Sequence, residues 1–177
     1  MSASSPVTRT APLLVAETPA HAQAVERVLD RGFGPGRFAK PSERVREFAP
    51  HLPALSRVAL MGADLVGVCR IYDIAIGGRP ALFLGPLAVD PDAQHGGLGH
   101  ALVAATIDAC RAINREAIVL MGEPSFFGAL GFEQIPPGQV LMPGPVEARR
   151  LQWIALRTGA FANLAGPISR PRAASPA

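Results

Sequence analysis

The stretch "LGPLAVDPDAQHGGLGHAL", Leu84–Leu102, decides how this chain is read. It runs from apolar residues through an Asp90-Pro91 turn into Gly96, Gly97 and Gly99, and then into a helical pattern. Such a strand, glycine loop and helix start form an anion site. Glycine lets the backbone approach a ligand, and the first amides of a helix carry partial positive charge. Two phosphate-binding templates fail. The dinucleotide fingerprint G-x-G-x-x-G needs a third glycine after Gly97 and Gly99, where Leu102 stands. It also needs its first glycine close behind the strand, whereas Asp90 to Gly96 intervene. Glu123 stands about where a ribose-binding acid belongs, but the missing glycine and the long spacer outweigh it. A Walker loop needs Gly-Lys-Ser/Thr, which does not occur.

Outward from this stretch, the pattern predicts a mixed α+β domain. "LLVAE", Leu13–Glu17, reads as a first strand. Thr18-Pro19 starts a helix that carries Val25, Val28 and Leu29 and stops at Gly32. "FGPGRFAK" reads as a loop and "PSERVREF" as a short helix capped by Ser42. "RVALM", "LVGVCRIYDIAI" and "PALFLGPLAV" follow as an antiparallel meander, turning at Gly62-Ala63-Asp64 and at Gly77-Gly78. Gly97 to Asn114 is helical, with Leu98, Ala101, Leu102, Ala105, Ala109 and Ile113 on one face. "AIVLM" is a continuous apolar run of the kind that pairs in parallel. "PSFFGAL" is a brief helix ended by Gly131, Phe132 opens an extended piece, and "LQWIAL" is a late strand. Only the passage from Leu82–Val89 through the long helix to Ala117–Met121 reads as a parallel βαβ unit. The sheet is therefore mainly antiparallel, with flanking helices, and not doubly wound.

Composition narrows the class. The chain has 177 residues, 49% hydrophobic and 18% charged, so one domain with a substantial core is expected. The Ser/Pro/Ala-rich ends, residues 1–10 and 167–177, read as mobile tails around a domain over 11–166. No apolar run reaches the roughly 18 residues of a membrane helix, and "MSASSPVTRTAP" lacks the apolar core of a secretory signal. Cys69 and Cys110 form no metal-type spacing, and no metal is expected; a reduced, cytoplasmic setting is. Net charge is +3, carried almost wholly by arginine, since Lys40 is the only lysine. Scattered arginines without an aromatic-basic array do not predict nucleic-acid binding, and a modest positive field suits an anionic small ligand.

The stretch "VDPDAQHGGLGHAL" resembles the Gln/Arg-x-x-Gly-x-Gly/Ala loop of GNAT-type N-acetyltransferases, with Gln94, Gly97 and Gly99 on the defining positions. "PSFFGALGF" is similar to a later motif of that family, an aromatic residue four positions before a Gly-Phe pair. The meander and the βαβ unit follow the family's order over roughly Leu13 to Leu156, and "FGPGRF" with "GRPALFLGPLAVDP" resembles a bacterial subgroup. The resemblance implies the GNAT fold, in which Leu82–Val89 and Ala117–Met121 splay apart around acetyl-CoA. Backbone groups of Leu87, Ala88 and Val89 would then bond the pantetheine arm. Gln94, His95, Gly96, Gly97, Leu98, Gly99 and His100 would hold the phosphates, and Ser125, Phe126 and Phe127 would complete the CoA site. Pro86, which has no N–H, reads either as a break in ladder pairing or as a bulge.

The resemblance further implies an acetyl-CoA-dependent transfer to a primary amine by direct attack on the thioester, with a backbone contact at Leu87 for the oxyanion. The acceptor is a small molecule or a peptide, and dimers are frequent in the superfamily. Family members often use a tyrosine to protonate the leaving thiolate, and Phe127 stands in that place. Ser125, Tyr72 and Glu123 are the candidate replacements, and the residues leave the acid unassigned. An acyl-CoA-binding or regulatory module with little turnover is the alternative that Phe127 raises. Of the remaining residues, Arg37 is a candidate for the acceptor side. Cys110 reads as a buried hydrophobe, and His21 and His51 as surface residues without partners.

Overall fold

The computed structural model describes residues 11–34, 36, 41–94 and 96–171. Strand β1 (Leu13–Ala16) leads through a 3-10 turn into helix α1 (Ala22–Phe33). His21 is not an idle surface residue. Its Nδ1 accepts the Thr18 backbone N–H at 3.1 Å and so closes the turn before the helix. The helix runs past the expected stop at Gly32 and ends at Gly34, whose N–H donates to the Asp30 carbonyl at 2.9 Å. Gly32 instead lies where a Cβ would come within 3.4 Å of the Ala88 Cβ, at the crossing of the helix over the sheet. Helix α2 (Pro41–Phe48) begins one residue before the expected cap, Ser42, because proline suits the first helical position.

The meander follows as β2 (Arg57–Met61), β3 (Asp64–Ile76) and β4 (Arg79–Val89). Helix α3 (Leu98–Cys110), β5 (Ala117–Met121), α4 (Pro124–Gly128) and the short β6 (Glu133–Gln134) come next. Strands β7 (Val140–Leu141), β8 (Leu151–Ala155) and β9 (Gly166–Ser169) complete the chain. The sheet order is β1-β2-β3-β4-β5-β8-β6, with β9 added to the end of β3 and β7 to β9. Only β4–β5 and β7–β9 are parallel. Sequence periodicity missed β7 and β9, and β9 corrects the boundary of the expected tail at 167. Two- to four-residue strands carry no period of their own; these exist because Ala75 and Ile76 pair with Ser169 and Ile168. Among the described residues no helix is long and apolar enough to cross a membrane.

Alternation along the central strands divides the core. Ala81, Phe83, Ala117 and Val119 face one layer, where Val45 and Ala49 of the α2 region and the C-terminal Leu164 and Ile168 pack. Leu82, Leu84, Ile118 and Leu120 face the other layer, under α3. Because β4 and β5 are covered on both faces, they read as nearly continuous apolar runs. The face of α3 differs from the alanine-rich stripe expected. Leu98, Leu102, Val103, Thr106, Ile107 and Cys110 are buried, while Ala101 is exposed. Burying Val103 and Ile107 removes more apolar area from water than burying Ala101 and Ala105 would, so the larger side chains set the helix rotation.

The turn between β3 and β4 tests the packing of the C-terminal segment. Gly77 and Gly78 both have positive φ, 56° and 85°. A Cβ on Gly77 would lie 2.0 Å from the Ala165 carbonyl oxygen, whereas one on Gly78 would meet nothing within 4 Å. Gly78→Ala should cost about 1–2 kcal/mol, the left-handed backbone penalty alone. Gly77→Ala should cost more, because backbone must also move. Thermal unfolding of the two variants should show the larger fall in Tm for Gly77→Ala.

Candidate active site

The site begins where β4 leaves β5. Parallel pairing matches Leu82 with Ile118, Phe83 with Val119 and Leu84 with Leu120, and stops there. Beyond it β4 stays paired to β3, through Leu87–Cys69, Ala88–Val68 and Val89–Gly67. Between these registers Gly85 and Pro86 stand opposite Arg70 alone, so the strand bulges. The Gly85-Pro86 bond is cis. Both readings of Pro86 therefore hold: it sits in a bulge, and pairing to β5 is broken there. On the other side Met121 still pairs with Leu151 of β8, and the Gly122 N–H donates to the Arg150 carbonyl at 2.9 Å. The buried Gln152 side chain donates to the Gly122 carbonyl at 3.2 Å. The β5 end is thus held by β8 while β4 turns away.

The gap opens into a chamber of about 590 Å³. Its walls are Glu26, Leu29 and Phe33 of α1, Ser42, Glu43 and Arg46 of α2, Arg70 and Tyr72 of β3, Phe83 to Leu87 of β4, Met121 to Glu123, Phe126, Phe127 and Arg150. Arg70 donates to Glu17 through Nε at 3.1 Å and Nη2 at 2.7 Å, and approaches Glu26 at 3.4 Å. Arg46 pairs with Glu43, and Glu123 with Arg149 at 3.4 Å. The Arg150 Nε is buried and has no hydrogen-bond partner among the described residues. Behind this wall His51 bonds the Ser56 hydroxyl at 3.0 Å and approaches Glu17 at 3.4 Å, which corrects the expectation of a partnerless His51. The Ser56 hydroxyl in turn accepts the Ile71 N–H at 3.0 Å.

At the other end of β4, the glycine loop is pinned from two sides. Arg31 of α1 donates to Asp90 at 2.6 Å and to Asp92 at 2.8 Å. Gln94 donates from its side-chain amide to the Val89 carbonyl at 3.2 Å, so it ties the loop to the strand. Gly96 and Gly97 have φ of 77° and 74°, conformations that favour glycine, and Gly97 is the N-cap of α3. Gly99 serves packing instead. A Cβ there would lie 3.3 Å from the Phe126 ring, and that ring stacks on His100 with centroids 4.1 Å apart. The α3 start and α4 are thereby joined across the gap. His95 and Arg37 lie outside the described residues.

A family model described as Acetyltransferase (GNAT) matches residues 22–132 of the 177. The chain belongs to the GNAT acetyltransferase family. Solved GNAT structures share the fold. Escherichia coli YhbS in complex with CoA aligns with a TM-score of 0.76 and 23% identity, over 97% of this chain and 94% of that one. A Brucella melitensis GNAT acetyltransferase in complex with acetyl-CoA aligns with a TM-score of 0.67 and 20% identity, over 90% and 95%. The ribosomal-protein-S18-alanine N-acetyltransferase of E. coli aligns with a TM-score of 0.59 and 15% identity, over 84% and 96%. No curated protein matches the sequence.

Within this GNAT frame the expected residues separate. Leu87, Tyr72 and Glu123 line the chamber, as do Phe126 and Phe127; Ser125, exposed on α4, does not. Phe127 is chiefly a core residue, edge-on to Phe126 and Phe132 at centroid distances of 4.8 and 5.7 Å. Its ring fills the space above Gly122, where a Cβ would collide with it. Tyr72 is buried against His51, and burial raises its phenol above the ordinary range, although Arg70 and Arg46 pull the other way. Burial pushes the Cys69 and Cys110 thiols up to about 12, in keeping with core packing. Arg46, Arg70 and Arg150 were missed, as was Gln152. Each was one scattered polar residue in sequence, and only their convergence gives them meaning.

Glu17 carries the electrostatic test. Burial acts to raise its pKa, but bonds from His51 and Arg70 outweigh burial and hold it at about 2 instead of 4.5. A depressed carboxyl stabilises the fold above its ordinary value and loses that contribution as pH falls. Stability in urea should therefore decline as pH drops from about 4.5 towards 2. Glu17→Gln should flatten that decline and cost roughly 1–3 kcal/mol at neutral pH, since it removes the bidentate partner of Arg70 and leaves Glu26 facing it.

Proposed function

We propose that this acetyltransferase moves an acetyl group from acetyl-CoA to a primary amine by direct attack of the neutral amine on the thioester. The observation that carries the reading is the unpaired edge of β4 beyond Leu84, which opens straight into the chamber. That edge suits an amide-rich arm bonding as a mock strand along Leu87, Ala88 and Val89. The loop from Gln94 to His100, with its positive-φ glycines at the α3 start, suits the pyrophosphate. Acetyl-CoA is bound as a donor substrate, and no residue need be acylated.

In this reading the amine nitrogen forms a bond to the acetyl carbon, and the C–S bond breaks to release the CoA thiolate. A backbone N–H at or beside Leu87 steadies the carbonyl oxygen as it gains charge. Glu123, at the exposed mouth, takes the amine's proton through water. The Tyr72 phenol, protonated at neutral pH like any phenol of pKa about 10, gives a proton to the thiolate. Tyr72 takes this role over Ser125 because it lines the chamber.

Titration calorimetry should show acetyl-CoA binding, and thiol release should be measurable with members of an amine panel. Absence of any binding at millimolar acetyl-CoA would sink the reading. Tyr72→Phe should lower kcat by about tenfold or more while the KM for acetyl-CoA holds. An unchanged kcat would remove Tyr72 from the reaction.

A further inference from the structure

The polar groups of the chamber are not evenly matched. Glu43 is paired with Arg46, Glu26 with Arg70, and Glu123 with Arg149. Arg70 is also doubly bonded to Glu17. Arg150 alone among the chamber's arginines makes no ion pair among the described residues, and its Nε is buried without a partner. A buried guanidinium nitrogen without an acceptor is costly, because its lost hydration is not replaced. The main chain at Arg150 is also fixed in place. Its backbone carbonyl bonds the Gly122 N–H, at the very end of the strand that forms one lip of the gap.

We infer that the acceptor carries a carboxylate close to its amine, as an amino acid does, and that Arg150 binds that carboxylate. The inference rests on the transfer reading above and names its substrate class. A guanidinium presents a planar fork that matches a carboxylate with two parallel bonds. A dianionic phosphate fits less well, since Arg46 and Arg70 are already paired with carboxylates and Arg150 alone is left to balance its two charges. The remaining walls, among them Leu29, Phe83 and Met121, are apolar and suit a small side chain. Arg150 and Gly122, at the lip of the gap between β4 and β5, line the same chamber, so an acceptor held there by its carboxylate keeps its amine in the space into which the gap opens.

The test compares matched acceptors: leucine, leucinamide and isoamylamine, and likewise phenylalanine, phenylalaninamide and phenethylamine. Thiol release from acetyl-CoA is followed, with rates corrected for the neutral fraction of each amine. At least one acid should exceed its amide and its plain amine by roughly tenfold or more in kcat/KM. Arg150→Gln should erase that preference through KM, and Arg150→Lys should restore part of it. A merely structural role for Arg150 would depress acid and amide alike. Equal rates for acid and amide, a preference for the plain amines, or a preference that survives Arg150→Gln each overturn the inference. The wild-type comparison decides the substrate class even if one variant does not fold, and Arg150→Lys then decides the residue. If no compound is acetylated, the same acids are titrated into the protein with CoA. Acid-selective binding lost in Arg150→Gln keeps the inference and defeats the transfer reading, whereas no acid-selective binding defeats the inference.

Discussion

The release of β4 from β5 after Leu84 is the constraint on which the rest of the structure depends. Three residues of parallel pairing hold the two strands together, and then the bulge at Gly85 and Pro86 carries β4 away. A strand that lost its neighbour in the middle of a sheet would normally leave backbone groups without partners. Here the loss is confined to one edge of a short segment, because β3 keeps its register with Leu87 to Val89. The β5 end is secured in turn by β8, through the Gly122–Arg150 bond and the Gln152 side chain. The gap is therefore built into the sheet, with one lip set by a bulge and the other by a buried glutamine.

The charges around the chamber follow from the same break. Arg70 faces the bulge, and its bidentate bonds to Glu17 anchor β3 to the chain just before α1. Arg31 ties the far end of α1 to the turn that opens the glycine loop. Helix α1 thus connects the chamber wall at Arg70 with the loop at the other end of β4, through the ion pairs of Glu26 and Arg31. The surface pairs contribute little to stability by themselves. Glu17 differs, because it is buried and takes bonds from two cations, or potential cations, at once.

Phe127 shows how a motif position can change its job without disturbing the frame. The aromatic ring remains, since Gly122 leaves room for it and Phe126 and Phe132 pack edge-on around it. What is missing is only the hydroxyl. On the reading proposed above, Tyr72 supplies one from a different strand, on the chamber wall.

The sequence by itself determined the meander, the βαβ unit and the glycine loop, because each rests on local rules. Period-two runs make strands, paired glycines make the tight turn at Gly77-Gly78, and Gly96-Gly97 accept positive φ before a helix. It also excluded a dinucleotide fingerprint through Leu102 and the spacer after Asp90. The rotation of α3 was misread because alanines share its period with larger residues, and volume decided between them. Strands β7 and β9 exist only through pairing over long separations. The gathering of Arg46, Arg70 and Arg150 around one chamber was decided by tertiary structure alone. Those arginines come from α2, β3 and the residue before β8, and a side chain's partner across the sheet leaves no period in the chain.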